Sequence, residues 1–136
     1  MAAEKREDWH VLVVDDEEVV RSGVARVLAD EGLSVVGAPD AAGALAHPAL
    51  AECRLVLCDL MLPDRSGLDL LRDLRARRPD LAIVCITGYA TREIVAEAAA
   101  AGATAFLPKP FDRDELVSVV RSALERAGAL TEEKKS

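Results

Sequence analysis

Five residues of this chain are of types that could do chemistry together: Asp15, Asp16, Asp59, Thr87 and Lys109. Each stands at or just past the end of a short aliphatic run. Asp15 and Asp16 follow HVLVV at 10–14, Asp59 follows RLVLC at 54–58, Thr87 follows LAIVCI at 81–86, and Lys109 follows TAFLP at 104–108. Three clustered carboxylates repel one another, which raises the proton affinity of at least one of them. A hard dication relieves that repulsion, and Mg²⁺ suits a sparse oxygen site that keeps several waters, with Mn²⁺ as its substitute. With charge compensated in this way, one carboxylate can attack a phosphorus. Lys109 would supply a second positive charge, and the Thr87 hydroxyl a hydrogen bond to a phosphoryl oxygen. Phosphoryl transfer needs little beyond such positioning and charge compensation. Taken singly, each residue has an ordinary explanation as a helix cap, a turn residue, a strand exit or a surface lysine. Their common place at the ends of strands argues for a shared task.

The elements that must position them alternate five times between a β-like run and a helix-like one. After the first strand at 10–14, the segment 18–30 puts Val20, Val24, Val27 and Leu28 on one helical face, and Gly32 stops it as a left-handed cap would. A second strand at 34–38 leads to Asp40, placed to cap a helix over 41–46. The third strand, 54–58, runs into Asp59 and a loop at 60–66. A helix with Leu68, Leu71 and Leu74 at helical spacing follows, with Pro79 just past its end. The fourth strand is 81–86, the Ala-rich helix 92–101 stops at Gly102, the fifth strand is 104–107, and Asp112 opens a last helix to about Ala127. Strands one, three and four are unbroken aliphatic runs, the mark of strands buried on both faces. The expectation is a single doubly wound α/β domain over 9–127, with ligands beyond the carboxyl ends of its strands. It leaves 1–8 as a flexible lead and 128–136 as a frayed polar tail.

Composition fits that reading. The chain has 136 residues, enough for one domain of ordinary size, and 51 % of them are hydrophobic while only 3 % are aromatic, so the core must be aliphatic. A net charge of −7 argues against direct nucleic-acid binding, which needs a basic face. No apolar run approaches a membrane span, and the charged opening lacks the apolar centre of a secretory signal. Of the three cysteines, Cys58 and Cys85 sit inside apolar runs and read as small buried hydrophobes; with Cys53 they point to a reducing cytoplasm.

The blocks VLVVDDEE (11–18), CDLMLPDRSG (58–67), ITGYA (86–90) and LPKPF (107–111) resemble the response-regulator receiver family of two-component signalling. The resemblance covers roughly residues 9–127. It implies a flavodoxin-like (βα)5 fold with a five-stranded parallel sheet of order 2-1-3-4-5. It implies that Asp59 is the phosphoacceptor, Asp16 a direct Mg²⁺ ligand, Asp15 the acid that holds metal-bound water, and Met61 a ligand through its backbone carbonyl. Thr87 and Lys109 match the switch hydroxyl and the phosphate-pairing lysine, and Lys109-Pro110 the family's usual cis peptide. The switch aromatic falls at Phe106, where other members carry Tyr, so that hydroxyl is missing; Phe106 is either a switch that swings inward or an ordinary packed aromatic. Met61 and Tyr89 match the positions flanking the path of attacking water. Neither orients water as a carboxylate or amide would, which implies slow loss of phosphate.

The partners so implied are a sensor histidine kinase or phosphotransfer protein as donor, and an output partner or output domain as receiver of the signal. A surface of the fourth helix, fifth strand and fifth helix would carry that signal, with phosphorylation-dependent homodimerisation left open. Beyond phosphorylating and dephosphorylating itself, such a domain is not an enzyme. Three rivals fit less well. A phosphohydrolase of the haloacid dehalogenase type wants a second acid two residues after the first, where Met61 stands. A flavin or nucleotide binder wants a Gly-rich loop after strand one, and a degenerate receiver would lack one of the key residues. Two readings of the whole stay open, a stand-alone receiver or the N-terminal part of a longer regulator. The ITGYA and FLPKPF blocks resemble receivers of nitrogen-regulation-type transcription factors and keep the second alive. Trp9, about 20 Å along a strand from Asp16 at ~3.3 Å per residue, should report only weakly on metal binding.

Overall fold

The computed structural model describes residues 10–135, with side chains described through Ala127. The lead 1–8 and Trp9 lie outside the described residues. Five strands, β1 (Val11–Val14), β2 (Val35–Ala38), β3 (Leu55–Asp59), β4 (Ala82–Thr87) and β5 (Ala105–Pro108), form one parallel sheet of order β2-β1-β3-β4-β5. The intervening helices are α1 (Glu18–Asp30), α2 (Ala41–Ala46), α3 (Gly67–Arg77), α4 (Arg92–Ala101) and α5 (Arg113–Lys135). The expected fold class, order and strand-to-helix alternation are all present.

Side chains alternate across the strands and divide the core in two. Val11, Val13, Leu55, Leu57, Val84 and Ile86 face α1 and α5, where Val24, Leu28, Leu116 and Val120 meet them. Leu12, Val14, Val56, Cys58, Ile83 and Cys85 face the other way, against Ala41 and Ala44 of α2, Leu70, Leu71 and Leu74 of α3, and Ala98 of α4. Every residue of β1, β3 and β4 is buried, which is why these strands show no polar alternation. All three cysteines are fully buried and unpaired, and burial pushes the Cys85 thiol up to about 12 and the Cys58 thiol well above its usual range. They are packing residues, as expected, and poor nucleophiles.

Local signals end the helices where the chain needs to turn. Gly32 and Gly102 take positive φ, 83° and 111°, just after α1 and at the cap of α4. The Asp40 carboxylate accepts the Gly43 N–H at 2.7 Å, capping α2. Asp112 and Glu115 cap α5 reciprocally, at 2.8 and 2.9 Å. A short 3-10 turn, Pro48–Ala51, had no clear sequence signal. The last helix, expected to end near Ala127, instead runs to Lys135. Gly128 is tolerated inside it because no proline follows and Ala129, Leu130, Glu132, Glu133 and Lys134 all favour helix. Among the described residues, no helix is long and apolar enough to cross a membrane.

Candidate functional site

Strand order reverses between β1 and β3, and the site lies beyond the carboxyl ends of those two strands. Val14 pairs with Cys58, so the next residues, Asp15 and Asp59, emerge side by side. Asp15 is fully buried and Asp59 only 4 % exposed, while Asp16 turns out to solvent. One carboxylate oxygen from each of the three lies within 4.8 Å of the others. Oxygen ligands around a single Mg²⁺ sit roughly 3–4 Å apart, so small side-chain rotations suffice for one hard cation to take all three. Both the donor chemistry and the spacing fit such an ion.

Lys109 reaches the cluster from the β5–α5 loop. Its Nζ donates to Asp15 Oδ2 and to Asp59 Oδ2, each at 2.9 Å, and lies 3.8 Å from Glu17 Oε1. Burial of the ammonium would lower its pKa, but the hydrogen bonds to Asp15 and Asp59 outweigh that and leave it raised, so Lys109 is firmly cationic. For Asp59 the balance goes the other way. Burial pushes its carboxyl up and the charge of Asp15 adds to the rise, against hydrogen bonds from the Met61 N–H and Lys109 that pull it down. The net result is a carboxylate that gains from any added positive charge.

Backbone groups hold these side chains. Asp15 Oδ1 accepts the Glu17 N–H at 2.9 Å, and Arg21 Nη1 donates to the Asp15 carbonyl at 2.7 Å. Asp59 Oδ1 accepts the Met61 N–H at 2.9 Å. Thr87 is 1 % exposed at the end of β4, its hydroxyl oxygen accepting the Tyr89 N–H at 3.1 Å and its carbonyl the Lys109 N–H at 2.8 Å. The Lys109-Pro110 peptide is cis.

Asp15, Asp16, Asp59 and Lys109 thus form one constellation, and Thr87 stands on the adjoining strand with its hydroxyl engaged by Tyr89. Met61 and Tyr89 are 59 % and 67 % exposed, beside the acceptor and the hydroxyl. Phe106 lies apart from the cluster: paired in register with Cys85, it packs half-buried on the face covered by α2, α3 and α4.

Two residues of the site escaped sequence reasoning. Gly67 begins α3, and a Cβ there would collide with the Asp59 carbonyl oxygen and with Leu60 Cα, so only glycine lets the helix approach the acceptor strand this closely. The Ser66-Gly67 pair before a helical run was the available signal, but it also suits an ordinary cap. Asp64 accepts the N–H groups of Ala41 and Ala42 at 3.0 and 2.9 Å, which holds its carboxyl below the usual range and ties the loop after β3 to the start of α2. That contact spans 23 residues and has no local signature.

Parallel sheet, acidic cluster and strand-end lysine together define a receiver-type signalling domain. Residues 11–121 match the family model described as the response regulator receiver domain, and the chain belongs to that family. It is similar to the probable transcriptional regulatory protein TcrX of Mycobacterium tuberculosis (strain ATCC 25618 / H37Rv), 37 % identical over 121 residues, which cover 89 % of this chain and 52 % of TcrX. Among solved structures, the receiver domain of NtrX from Brucella abortus superposes with a TM-score of 0.79 at 40 % identity, covering 85 % of this chain and 98 % of that one. A CheY-like receiver domain protein from Methanospirillum hungatei JF-1 does so at 0.82 and 29 % identity, covering 93 % and 98 %. The chain spans about half the length of TcrX and of FixJ from Azorhizobium caulinodans.

Proposed function

We propose that this chain is a phosphorylation switch in which Asp59 accepts a phosphoryl group. A histidine kinase, a phosphotransfer protein or a small acyl phosphate would donate it, in the cytoplasm. The observation that carries the reading is Lys109, whose ammonium bridges Asp15 and Asp59 at 2.9 Å each. Asp15, Asp16, Asp59 and the Met61 carbonyl would hold Mg²⁺, which when bound supplies charge compensation for the transferring group.

The residues of the chain divide the remaining work. An Asp59 carboxylate oxygen attacks phosphorus as the bond from phosphorus to the donor's imidazole nitrogen or acyl oxygen breaks, the electron pair leaving with the donor, while the Met61 N–H holds the other Asp59 oxygen. Lys109 pairs with the charge that arrives on the phosphoryl oxygens, releasing part of its present bond to Asp59. Thr87 gives up its Tyr89 contact and donates its hydroxyl to a phosphoryl oxygen. That movement would vacate space near β5, and Phe106, paired in register with Cys85 on the neighbouring strand, would swing inward to fill it. Such contacts need favour one of two conformations by only a few kcal/mol to move the population. The surface of α4, β5 and α5 would pass the change to an output domain or partner. Residues 9–127 would form the working unit.

Amide spectra recorded with Mg²⁺, before and after adding beryllofluoride as a phosphoryl mimic, test the switch. Shifts at Thr87, Phe106 and along α4 are expected. Shifts confined to the loops at 15–17 and 60–66 would contradict the switching role while leaving the binding site in place.

A further inference from the structure

Asp15 is fully buried, and each of its polar atoms has a partner on a different segment. Its N–H donates to the Ala38 carbonyl at 3.2 Å, its Oδ1 accepts the Glu17 N–H at 2.9 Å, and its Oδ2 accepts from the Lys109 ammonium at 2.9 Å. The fourth contact is the shortest, from Arg21 Nη1 to the Asp15 carbonyl at 2.7 Å. Asp16 has no such support: it is exposed, and no described residue donates a hydrogen bond to its carboxylate. Glu17, at the N-terminal end of α1, makes no side-chain cap bond either, so the aim of Asp16 rests on the backbone of Asp15. That backbone is where Arg21 acts. A helical side chain leans toward the N-terminus, so Arg21, in the first turn of α1, reaches back over the turn that leaves β1. Its stem crosses β2 at Gly37, where a Cβ would stand 3.0 Å from Arg21 Cδ. The peptide joining Asp15 to Asp16 is planar, so a donor that fixes the Asp15 carbonyl also fixes the Asp16 N–H and Cα.

We infer that Arg21 is a positioning residue for the metal site: through the Asp15 carbonyl it sets the peptide plane that aims the Asp16 carboxylate at the cation. The inference rests on the reading of Asp15, Asp16 and Asp59 as the residues that hold Mg²⁺. The sign of the effect separates it from electrostatics. A guanidinium close to a cation site repels the ion, so removing the charge alone would tighten Mg²⁺ binding. Removing the tether loosens it, because outer contacts that orient metal ligands are worth about 10–100-fold in affinity. Three other contacts still hold Asp15, which puts the loss at the lower end of that range.

A Mg²⁺ titration followed by amide shifts of the loops at 15–17 and 60–66 tests this, with thermal unfolding in EDTA as the check on folding. Arg21→Met, which keeps the apolar stem, is expected to weaken Mg²⁺ binding about tenfold. Gly37→Val should weaken it as well although every charge is kept, since the new side chain stands in the path of Arg21. Valine suits a strand, so this variant stands in for Arg21→Met should that one unfold. Arg26→Met, which removes an exposed cation from the same helix, is expected to bind as tightly as the parent or more tightly. In an Asp16→Ala background the cost of Arg21→Met should vanish, because the carboxylate being aimed is gone. Binding by Arg21→Met that matches or exceeds the parent's overturns the inference whatever its melting point, and so does a tenfold cost that persists in Asp16→Ala. Gly37→Val that binds like the parent overturns the path given to the side chain. A parent that binds no Mg²⁺ overturns the metal-site reading itself.

Discussion

Replacing Gly67 with alanine places one methyl group between the start of α3 and the acceptor strand. The atoms it would meet are the Asp59 carbonyl oxygen, Leu60 Cα and the Leu60 carbonyl carbon, all closer than real Cβ atoms approach. They belong to the backbone, so no rotamer change relieves the overlap, and either the loop 60–66 or the first turn of α3 must move. Strain of this kind costs about 1–3 kcal/mol. For a domain of this size that is a fall of about 4–12 °C in Tm. The functional effect should be larger. The loop carries the Met61 N–H that donates to Asp59 Oδ1 at 2.9 Å. A displacement of about 1 Å at a reacting group costs on the order of 100-fold in rate. Thermal unfolding and the rate of phosphorylation by acetyl phosphate measure the two effects separately. Gly23→Ala serves as the control, since its Cβ meets nothing and a mid-helix alanine adds about 0.5–1 kcal/mol. A Gly67→Ala protein that melts with the parent and is phosphorylated at the parent's rate would refute the reasoning.

Asp59→Asn should stabilise the chain at neutral pH without divalent cations. Burial raises the folded carboxyl above its unfolded value, so its ionisation costs stability, in full above the folded pKa and not at all below the unfolded one. The variant's advantage in denaturant midpoint should therefore shrink as pH falls through the carboxylate range, and an advantage independent of pH would contradict the cause assigned. Mg²⁺ should reverse the order, since a ligand at 100 times its Kd stabilises the binding form by about 2.7 kcal/mol. Met61→Asn combined with Tyr89→Glu should speed loss of phosphate about tenfold, short of the ~10²–10⁴ of a fully positioned acid–base group. An unchanged half-life would show that these exposed side chains do not govern access of water.

Much of the site was legible because its residues sit at strand ends. Once the aliphatic runs fixed β1, β3, β4 and β5, parallel topology had to gather Asp15, Asp59, Thr87 and Lys109 at one edge. The cis Lys109-Pro110 peptide also agrees with the resemblance. What stayed hidden depends on contacts between distant segments. Gly67 is required by a backbone approach across seven residues, and Asp64 caps a helix 23 residues away. At the opposite end of the sheet, the Arg75 guanidinium donates to the carbonyls of Leu81 and Gly102, each at 2.7 Å, and the second of these contacts spans 27 residues. The run of α5 to Lys135 escaped notice because glycine more often ends a helix than continues one.

The most direct test of the central claim is intact mass after incubation with Mg²⁺ and acetyl phosphate, with Asp59→Asn and an EDTA control alongside. One phosphoryl adduct on the parent, absent from the variant and abolished by EDTA, is the predicted result. An adduct that persists in Asp59→Asn, or one that forms equally well in EDTA, would contradict Asp59 as the metal-assisted acceptor.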